Sequence, residues 1–183
     1  MSKKICFLYT DTNGLHSLNE DVSTKNLYSF ARLIALHYSI GTYEDGKYNE
    51  VKRIDAIIKP DTIAFDKTAQ FFHKITMEEA TKKGIENTKV ITQFKEDIKD
   101  VEVIVSHSLS FYLKAIQVEC FRTAISIDFS KFILIDTMSY GHNYSFPKLT
   151  DMVKKLKIKN VVGQLEQTIA IFIKLYQNKI EAS

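Results

Sequence analysis

Three strand-like segments open this chain and constrain its fold more than any later feature. Residues 5–9 are all apolar or aromatic, which predicts a buried strand. Leu27 to Ile40 is a second, longer apolar stretch that ends at Gly41, and Glu44-Asp45-Gly46 then supplies a turn. Val51 to Ile58 alternates and is the third segment. Together these segments predict a three-strand antiparallel meander.

Beyond residue 60 the pattern changes to helices alternating with strands. Thr76 predicts the N-cap of a short helix that ends at Gly84, and Thr88 predicts the cap of the next helix. The remaining predicted elements are a strand at 101–105, a helix at 109–124, a strand at 132–135, and helices at 147–156 and 163–179. The order is three strands, two helices, strand, helix, strand and two helices, which predicts a mixed sheet with helices packed on it.

Composition is typical of an ordinary globular protein. The 183 residues predict one domain spanning 1–183, and 45% of them are hydrophobic. A net charge of +3 gives a mild preference for polyanions. Cys6 and Cys120 are predicted to be buried free thiols, which fits a reducing compartment. No apolar stretch approaches the roughly 20 residues that span a bilayer, so we expect a soluble, intracellular protein with no membrane partner.

Several segments, in order, carry recognisable motifs. The first is Phe7-Leu8-Tyr9-Thr10-Asp11-Thr12-Asn13-Gly14-Leu15, whose last four residues fix the register. The others are Phe72 to Thr76, Val103 to Ser108 with Phe111-Tyr112, Leu134 to Thr137, Phe146 to Thr150, and Thr168 with Phe172 to Leu175. They resemble the DEDD-type (DnaQ-like, DEDDh) 3′–5′ exonucleases of the ribonuclease-H-like superfamily, over nearly the whole chain. The resemblance implies an α/β fold with a mixed five-stranded sheet, three antiparallel strands followed by two parallel ones, flanked by helices.

The same resemblance implies that the catalytic positions of the family are replaced. In the family, four acidic side chains hold two divalent metal ions and a His acts as general base. The residues at those positions here are Tyr9, Asp11, Tyr112 and Gln164 for the acids, and Lys159 for the His. Phenols and amides give almost no charge to hold Mg²⁺ or Mn²⁺, and lysine, with a pKa of roughly 10.4, is a poor base at neutral pH. We therefore expect an inactive, exonuclease-like protein that needs no metal cofactor.

Two structural expectations follow from these replacements. The rings of Tyr9 and Tyr112 should meet and fill the space of the missing carboxylates, and Lys159 should pair with Asp11 where a metal cation would lie. Tyr9 could equally be a core aromatic residue with a satisfied hydroxyl. The acids that could instead form a rearranged site for Mg²⁺ or Mn²⁺ are Asp11, Asp136, Glu119 and Glu166.

The lysine-rich segment 154–159 is the best candidate for contact with a polyanion, although a solvated helix end explains it equally well. Phosphate contacts of this kind are salt-sensitive and independent of sequence, and stacking on Tyr or Phe adds affinity for single strands. His107 could instead be structural. His73, in a loop-like segment, could contact nucleic acid or serve local capping. The predicted nucleic-acid contacts are Asn13, Gly14, Leu15, His107, Ser108, Lys154, Lys155 and Lys157.

Three functions remain open from the sequence. The first is an inactive exonuclease-like module that binds single-stranded DNA or RNA, or docks a replication or transcription protein. The second is an active metal-dependent 3′–5′ exonuclease with a rearranged acidic site. The third is a structural protein that oligomerises through an exposed apolar face.

Overall fold

One mixed sheet organises the protein. The computed structural model describes residues 2–61, 66–139 and 146–176. The strands are β1 (Lys3–Thr12), β2 (Leu33–Glu44), β3 (Lys47–Ile57), β4 (Val103–Ser106) and β5 (Ile133–Asp136), in the spatial order β3-β2-β1-β4-β5. The first three strands are antiparallel neighbours, whereas β4 pairs in parallel with β1 and β5 in parallel with β4. This arrangement confirms the predicted mixed five-stranded sheet.

Helices cover both faces of the sheet. They are α1 (Lys67–His73), α2 (Met77–Lys83), α3 (Asn87–Asp97), α4 (Leu109–Thr123), α5 (Leu149–Lys155) and α6 (Gln164–Tyr176). Side chains alternate along β1, so Leu8 packs in the cluster that includes α3 and α4, while Phe7 packs against Phe172 of α6. Burial on both faces explains why β1 is a continuous apolar run rather than an alternating one.

The predicted helix starts were partly confirmed. Thr76 caps α2 as predicted, its hydroxyl accepting a hydrogen bond from the Glu79 amide at 3.0 Å. The prediction for Thr88 was wrong, because α3 begins at Asn87 with Glu86 at the N-cap position. Helix α1 was not predicted, since it buries no side chain and therefore has no apolar periodicity. His73 thus lies in the last turn of a helix, and not in a loop.

The second strand differs most from its prediction. Residues 27–29 form a 3₁₀ turn, and β2 begins only at Leu33. The strand then continues through Gly41 to Glu44, with an irregularity in its pairing at Ile40/Gly41. A Cβ at Gly41 would lie 2.2 Å from the Asn49 carbonyl oxygen, so a close approach of two strands, and not a strand end, requires this glycine.

Other expectations concern the termini of elements and the thiols. Cys6 and Cys120 are free and buried, as predicted. The last helix is described as far as Tyr176, so the final residues of its predicted span lie outside the described part of the chain. Within the described ranges, the structure contains no helix of the length and apolarity needed to cross a membrane.

Candidate functional site

A pocket of about 690 Å³ opens at the carboxyl end of β1. Three segments form its walls: the end of β1 with the turn that follows, helix α1, and the start of α4. The lining residues are Thr10, Asp11, Thr12, Asn13, Gly14, Leu15, Asp66, Thr68, Ala69, Phe72, His73, Ser108, Phe111 and Tyr112. The tertiary structure therefore brings together four of the predicted nucleic-acid contacts, Asn13, Gly14, Leu15 and Ser108.

Among the described residues, the pocket is lined by acidic and not by basic side chains. Its described lining residues include two carboxylates and no Lys or Arg. The pocket also contains a polar group without a partner: the Thr10 hydroxyl is buried and makes no hydrogen bond to any described residue. A buried hydroxyl without a partner costs free energy.

Next to the pocket, His37 lies between two carboxylates. The cross-strand register places Tyr9 opposite His37 and His37 opposite Asp55. The ring Nδ1 lies 2.6 Å from Asp55 Oδ1, and Nε2 lies 3.1 Å from Asp11 Oδ2. The Tyr9 ring stacks on the imidazole with 4.3 Å between centroids and 5° between planes. Side chains of three adjacent strands thus fix the ring in position.

These contacts favour the imidazolium form of His37. Burial opposes protonation, but hydrogen bonds and charges from Asp11 and Asp55 outweigh it and raise the pKa of His37. Two carboxylate acceptors on opposite ring nitrogens require two N–H donors, which only the protonated ring supplies. The negative charge of Asp11 is consequently balanced by a cation belonging to the protein.

The two tyrosines occupy different surroundings from those expected. Tyr9 stacks on His37, and Tyr112 packs edge-on against Phe111 with centroids 5.7 Å apart. Tyr9 packs with the cluster that includes Phe172, whereas Tyr112 packs with the cluster that includes Phe94, and the described ring pairs do not join the two tyrosines. Burial, followed by the charge of Asp11, raises the pKa of both phenols. Each is therefore a neutral hydroxyl at physiological pH and supplies no charge to a cation.

Lys159 does not take the place of a metal cation. It is exposed in the segment between α5 and α6 and forms no ion pair with Asp11, whose partner is His37. The sequence thus predicted a cation beside Asp11 but assigned it to the wrong residue. Gln164 is the exposed first residue of α6.

The acids proposed for a rearranged site have other partners. Asp136 accepts hydrogen bonds from the Ser108 and Leu109 amides at 2.9 and 2.8 Å, which caps the start of α4. Glu119 forms a buried ion pair with Arg32 at 2.7 Å, and Glu166 pairs with Arg53.

Metal ligation therefore finds no support in the donor set. Among residues 2–61, 66–139 and 146–176, no three His, Cys, Asp or Glu side chains lie close enough to hold a metal ion. The residues that the structure describes do not fit the two-metal centre of the exonuclease family.

Two histidines from the sequence analysis have structural contacts. His107 is buried, with Nδ1 2.9 Å from Thr137 Oγ1 and Nε2 2.9 Å from the Pro147 carbonyl. It does not line the pocket, so the structure gives no support to its predicted nucleic-acid contact. The His73 Nδ1 accepts a hydrogen bond from the Ile75 amide at 3.0 Å, which is the local capping that the sequence analysis considered.

The lysine-rich segment does not line the pocket. Lys154, Lys155 and Lys157 are exposed at the end of α5 and in the turn that follows. The His107–Pro147 contact anchors the approach to α5 beside the pocket wall. The first turn of α6 returns to the sheet, where Glu166 pairs with Arg53 of β3. The lysines therefore lie on a connection that is held at one end by His107, the neighbour of the pocket residue Ser108, and at the other end by Arg53.

Sequence reasoning missed His37 and Asp55. A single His among the apolar residues of β2 was an available signal, because a buried histidine needs polar partners. Its partners could not be identified, since the pairing of Asp55 with His37 depends on a register that includes the irregularity at Gly41.

Comparison with known proteins identifies the fold. No protein-family model matches the chain, and no curated protein sequence matches it. The structure has the ribonuclease-H-like exonuclease fold, and solved structures of exonuclease I superpose on nearly all of it.

Three of these structures illustrate the similarity. A complex of exonuclease I with the inhibitor BCBP has a TM-score of 0.75 at 15% identity, covering 99% of this chain and 42% of that one. The product-bound form has a TM-score of 0.74 at 14% identity, covering 99% and 45%. Escherichia coli exonuclease I with a 5cy-dA13 oligonucleotide has a TM-score of 0.72 at 15% identity, covering 98% and 41%. This chain thus spans less than half the length of these proteins, and at such identity the likeness concerns the fold.

Proposed function

We propose that this chain is a catalytically inactive, exonuclease-like protein that binds the end of a single-stranded nucleic acid in the pocket beside Asp11. One observation carries the proposal: Asp11, the single carboxylate among the four expected acidic positions, is paired with His37 while the pocket beside it stays open. The scaffold has lost the charges that hold metal ions and has kept a space for a ligand.

The case for inactivity rests on charge. Two divalent ions about 4 Å apart need several carboxylates to offset their mutual repulsion. Tyr9 and Tyr112 are neutral, Gln164 is an amide, and Asp11 already has a cationic partner. A metal ion at this position would have to compete with an imidazolium that is held from both sides.

The case for binding rests on the walls of the pocket. Phe72 is 76% exposed on α1, and Phe111 and Tyr112 face the same space from α4. Aromatic surfaces of this kind stack on bases with little regard to sequence.

The distribution of charge suggests an orientation for the bound strand. The described lining of the pocket offers no Lys or Arg to a phosphate, so a base is the better occupant. Segment 148–159 carries five lysines against one aspartate, whereas the whole chain has a net charge of only +3. The bases would enter the pocket and the phosphates would lie along Lys154, Lys155 and Lys157.

The solved structures support the ligand class by analogy. Exonuclease I has been determined with 5cy-dA13 and 5cy-dT13 oligonucleotides, and in a structure with SSB. Those ligands belong to exonuclease I. By analogy, single-stranded DNA or RNA is the first ligand to test on this chain. A replication or transcription protein is the alternative partner.

Binding should be measured by fluorescence anisotropy with 5′-labelled single-stranded DNA and RNA, in EDTA and in Mg²⁺. We expect binding that does not need the metal. Phe72→Ala should weaken it by roughly 5- to 150-fold, the equivalent of one lost stacking contact of about 1–3 kcal/mol. Phe71→Ala is the matched control, because Phe71 is 68% exposed on the same helix but does not line the pocket. Equal losses in the two variants would argue against the pocket.

The lysines call for a separate measurement. We expect the replacement of Lys154, Lys155 and Lys157 together by Gln to change the salt dependence of binding. The slope of the logarithm of the association constant against the logarithm of the salt concentration should fall in magnitude by roughly 2, at about 0.7 per phosphate contact. A matched triple of exposed lysines elsewhere, Lys82, Lys89 and Lys99, should leave the slope unchanged. If neither DNA nor RNA binds, the docking of a protein becomes the better proposal.

Inactivity needs its own assay. We expect no shortening of 3′-tailed, 5′-labelled DNA or RNA by the wild-type protein in Mg²⁺ or Mn²⁺. Shortening that disappears in Asp11→Ala would refute the proposal and point to an active, rearranged site. Elution above the monomer mass of 21.1 kDa without any nucleic acid would favour the assembly function.

A further inference from the structure

His16 joins two walls of the pocket. Its imidazole stacks on the Phe111 ring, with 4.2 Å between centroids and 1° between planes, and the Phe30 ring packs against it with centroids 5.4 Å apart. His16 lies in the segment that follows β1, whereas Phe111 lies in the first turn of α4 and lines the pocket. The stack therefore holds the segment after β1 against the start of α4.

An anchor lies on each side of Leu15 in this segment. On one side, the Asn13 amide donates to the Arg32 carbonyl at 2.9 Å, and Asn13 Oδ1 accepts from the Arg32 amide at 2.7 Å. On the other side, the His16 ring rests on Phe111. Leu15 itself is 90% exposed, so burial of its side chain does little to fix the chain. The two anchors set the course of the backbone along this wall of the pocket.

The His16 ring is neutral in this position. Burial is the main cause that lowers the pKa of His16, and the charge of Lys114 on α4 acts in the same direction, against a smaller number of opposing contacts with the Phe111 backbone. At physiological pH the stack therefore joins two uncharged aromatic rings. A phenyl ring has nearly the same shape, which makes phenylalanine the conservative replacement for His16.

We propose that His16 is a positioning residue of the nucleic-acid site, because its ring holds Phe111 as an aromatic wall on which a base stacks. This role rests on the proposed function, in which Phe111 is a stacking surface. The imidazole covers one face of Phe111, and Tyr112 packs edge-on with centroids 5.7 Å apart, so two neighbours orient the ring before a ligand arrives. A wall that is already ordered spares the ligand the entropy cost of fixing that side chain on association.

Fluorescence anisotropy with 5′-labelled single-stranded DNA and RNA measures the effect on binding. His16→Ala should weaken binding by roughly 2- to 12-fold, which is the cost of ordering one side chain on association. His16→Phe should restore the wild-type affinity, because it keeps the stack. Leu18→Ala is the matched control, since Leu18 lies in the same segment, is 48% exposed and does not line the pocket.

A double-mutant cycle tests whether His16 acts through Phe111. In the Phe111→Ala background, the further change His16→Ala should have no additional effect on binding, because the wall that His16 holds is already gone. An equal loss in the wild-type and Phe111→Ala backgrounds would show that His16 supports the fold without positioning Phe111.

A fluorescent reporter supplies a measurement that needs no ligand. The chain contains no tryptophan, so Phe111→Trp introduces a single reporter at this wall. Iodide quenching of that reporter should increase when His16→Ala is added and return to its original level with His16→Phe. If His16→Ala does not fold, His16→Leu retains more of the side-chain volume, removes the ring, and is tested in the same way.

Two outcomes would overturn the positioning role. One is a folded His16→Ala that binds oligonucleotide as tightly as the wild type, and the other is iodide quenching that does not change when the ring is removed. Failure of the proposed function is recognised separately, because the wild type would then bind no oligonucleotide while the reporter still measures the stack.

Discussion

Replacing Glu119 by Gln tests whether this buried acid supports the fold or serves a metal site. Its side chain is 1% exposed and accepts hydrogen bonds at 2.7 Å from Arg32 Nε, at 2.6 Å from Asn87 Nδ2 and at 3.3 Å from the Leu33 amide. One carboxylate therefore joins α4, β2 and α3. Gln keeps the shape but removes the charge, and its amide group points N–H donors at groups that are themselves donors.

The size of the effect follows from the burial of both partners. Breaking a buried ion pair by neutralising one member costs about 3–5 kcal/mol. Arg32 is 15% exposed and retains Asp61, which is 54% exposed, as a second partner at 3.0 Å. The lower end of the range therefore applies, and we expect the free energy of unfolding of Glu119→Gln to fall by about 3 kcal/mol. For a domain of this size, that corresponds to a fall in Tm of roughly 6–12 °C.

Urea and thermal denaturation of the wild type and of Glu119→Gln measure the loss. Asp100→Asn is the control, because the Lys4–Asp100 pair spans 3.9 Å with exposed side chains and should contribute less than about 1 kcal/mol. A loss below about 1 kcal/mol for Glu119→Gln would refute the structural role. Stabilisation of the wild type by Mg²⁺ or Mn²⁺ that vanishes in the variant would instead identify Glu119 as a metal ligand.

Three further predictions concern single residues. Because the pKa of His37 is raised in the folded protein, its contribution to stability is complete below the unfolded pKa of about 6.5 and is lost as pH rises through the pKa of the folded state. Urea unfolding between pH 6 and 9 should show this decline in the wild type and not in His37→Gln. Asp136→Ala should cost about 1–2 kcal/mol by chemical denaturation, because it removes the cap of α4, whereas Asp136→Asn should cost less. Gly41→Ala should lower the free energy of unfolding by about 1–3 kcal/mol, and with it the Tm, since the alanine Cβ would lie 2.2 Å from the Asn49 carbonyl oxygen. An unchanged Tm would contradict the close contact of the two strands.

The fold was predictable because its strongest signals are local. The continuous apolar run of β1 requires burial on both faces, and the turn at Asp45-Gly46, where both residues have positive φ, joins two antiparallel strands. Helix α1 was not predictable, because it buries nothing and its residues carry no period. Its position over the pocket depends on contacts that lie outside its own sequence.

The candidate site was only partly predictable, because some of its contacts join residues that are far apart along the chain. The order of residues along one strand end brings Asp11, Asn13 and Gly14 together without any tertiary information. The sequence also led us to expect a cation beside Asp11. It could not identify that cation, because Lys159 and His37 are both far from Asp11 along the chain.

The sequence by itself determined the alternation of strands and helices and the burial of β1. The tertiary structure decided which groups face one another. Cross-strand pairing set His37 between Asp11 and Asp55, and the packing of α4 committed Glu119 to Arg32. Such contacts join residues far apart in the chain, where a register shift of one position would turn each strand side chain to the opposite face.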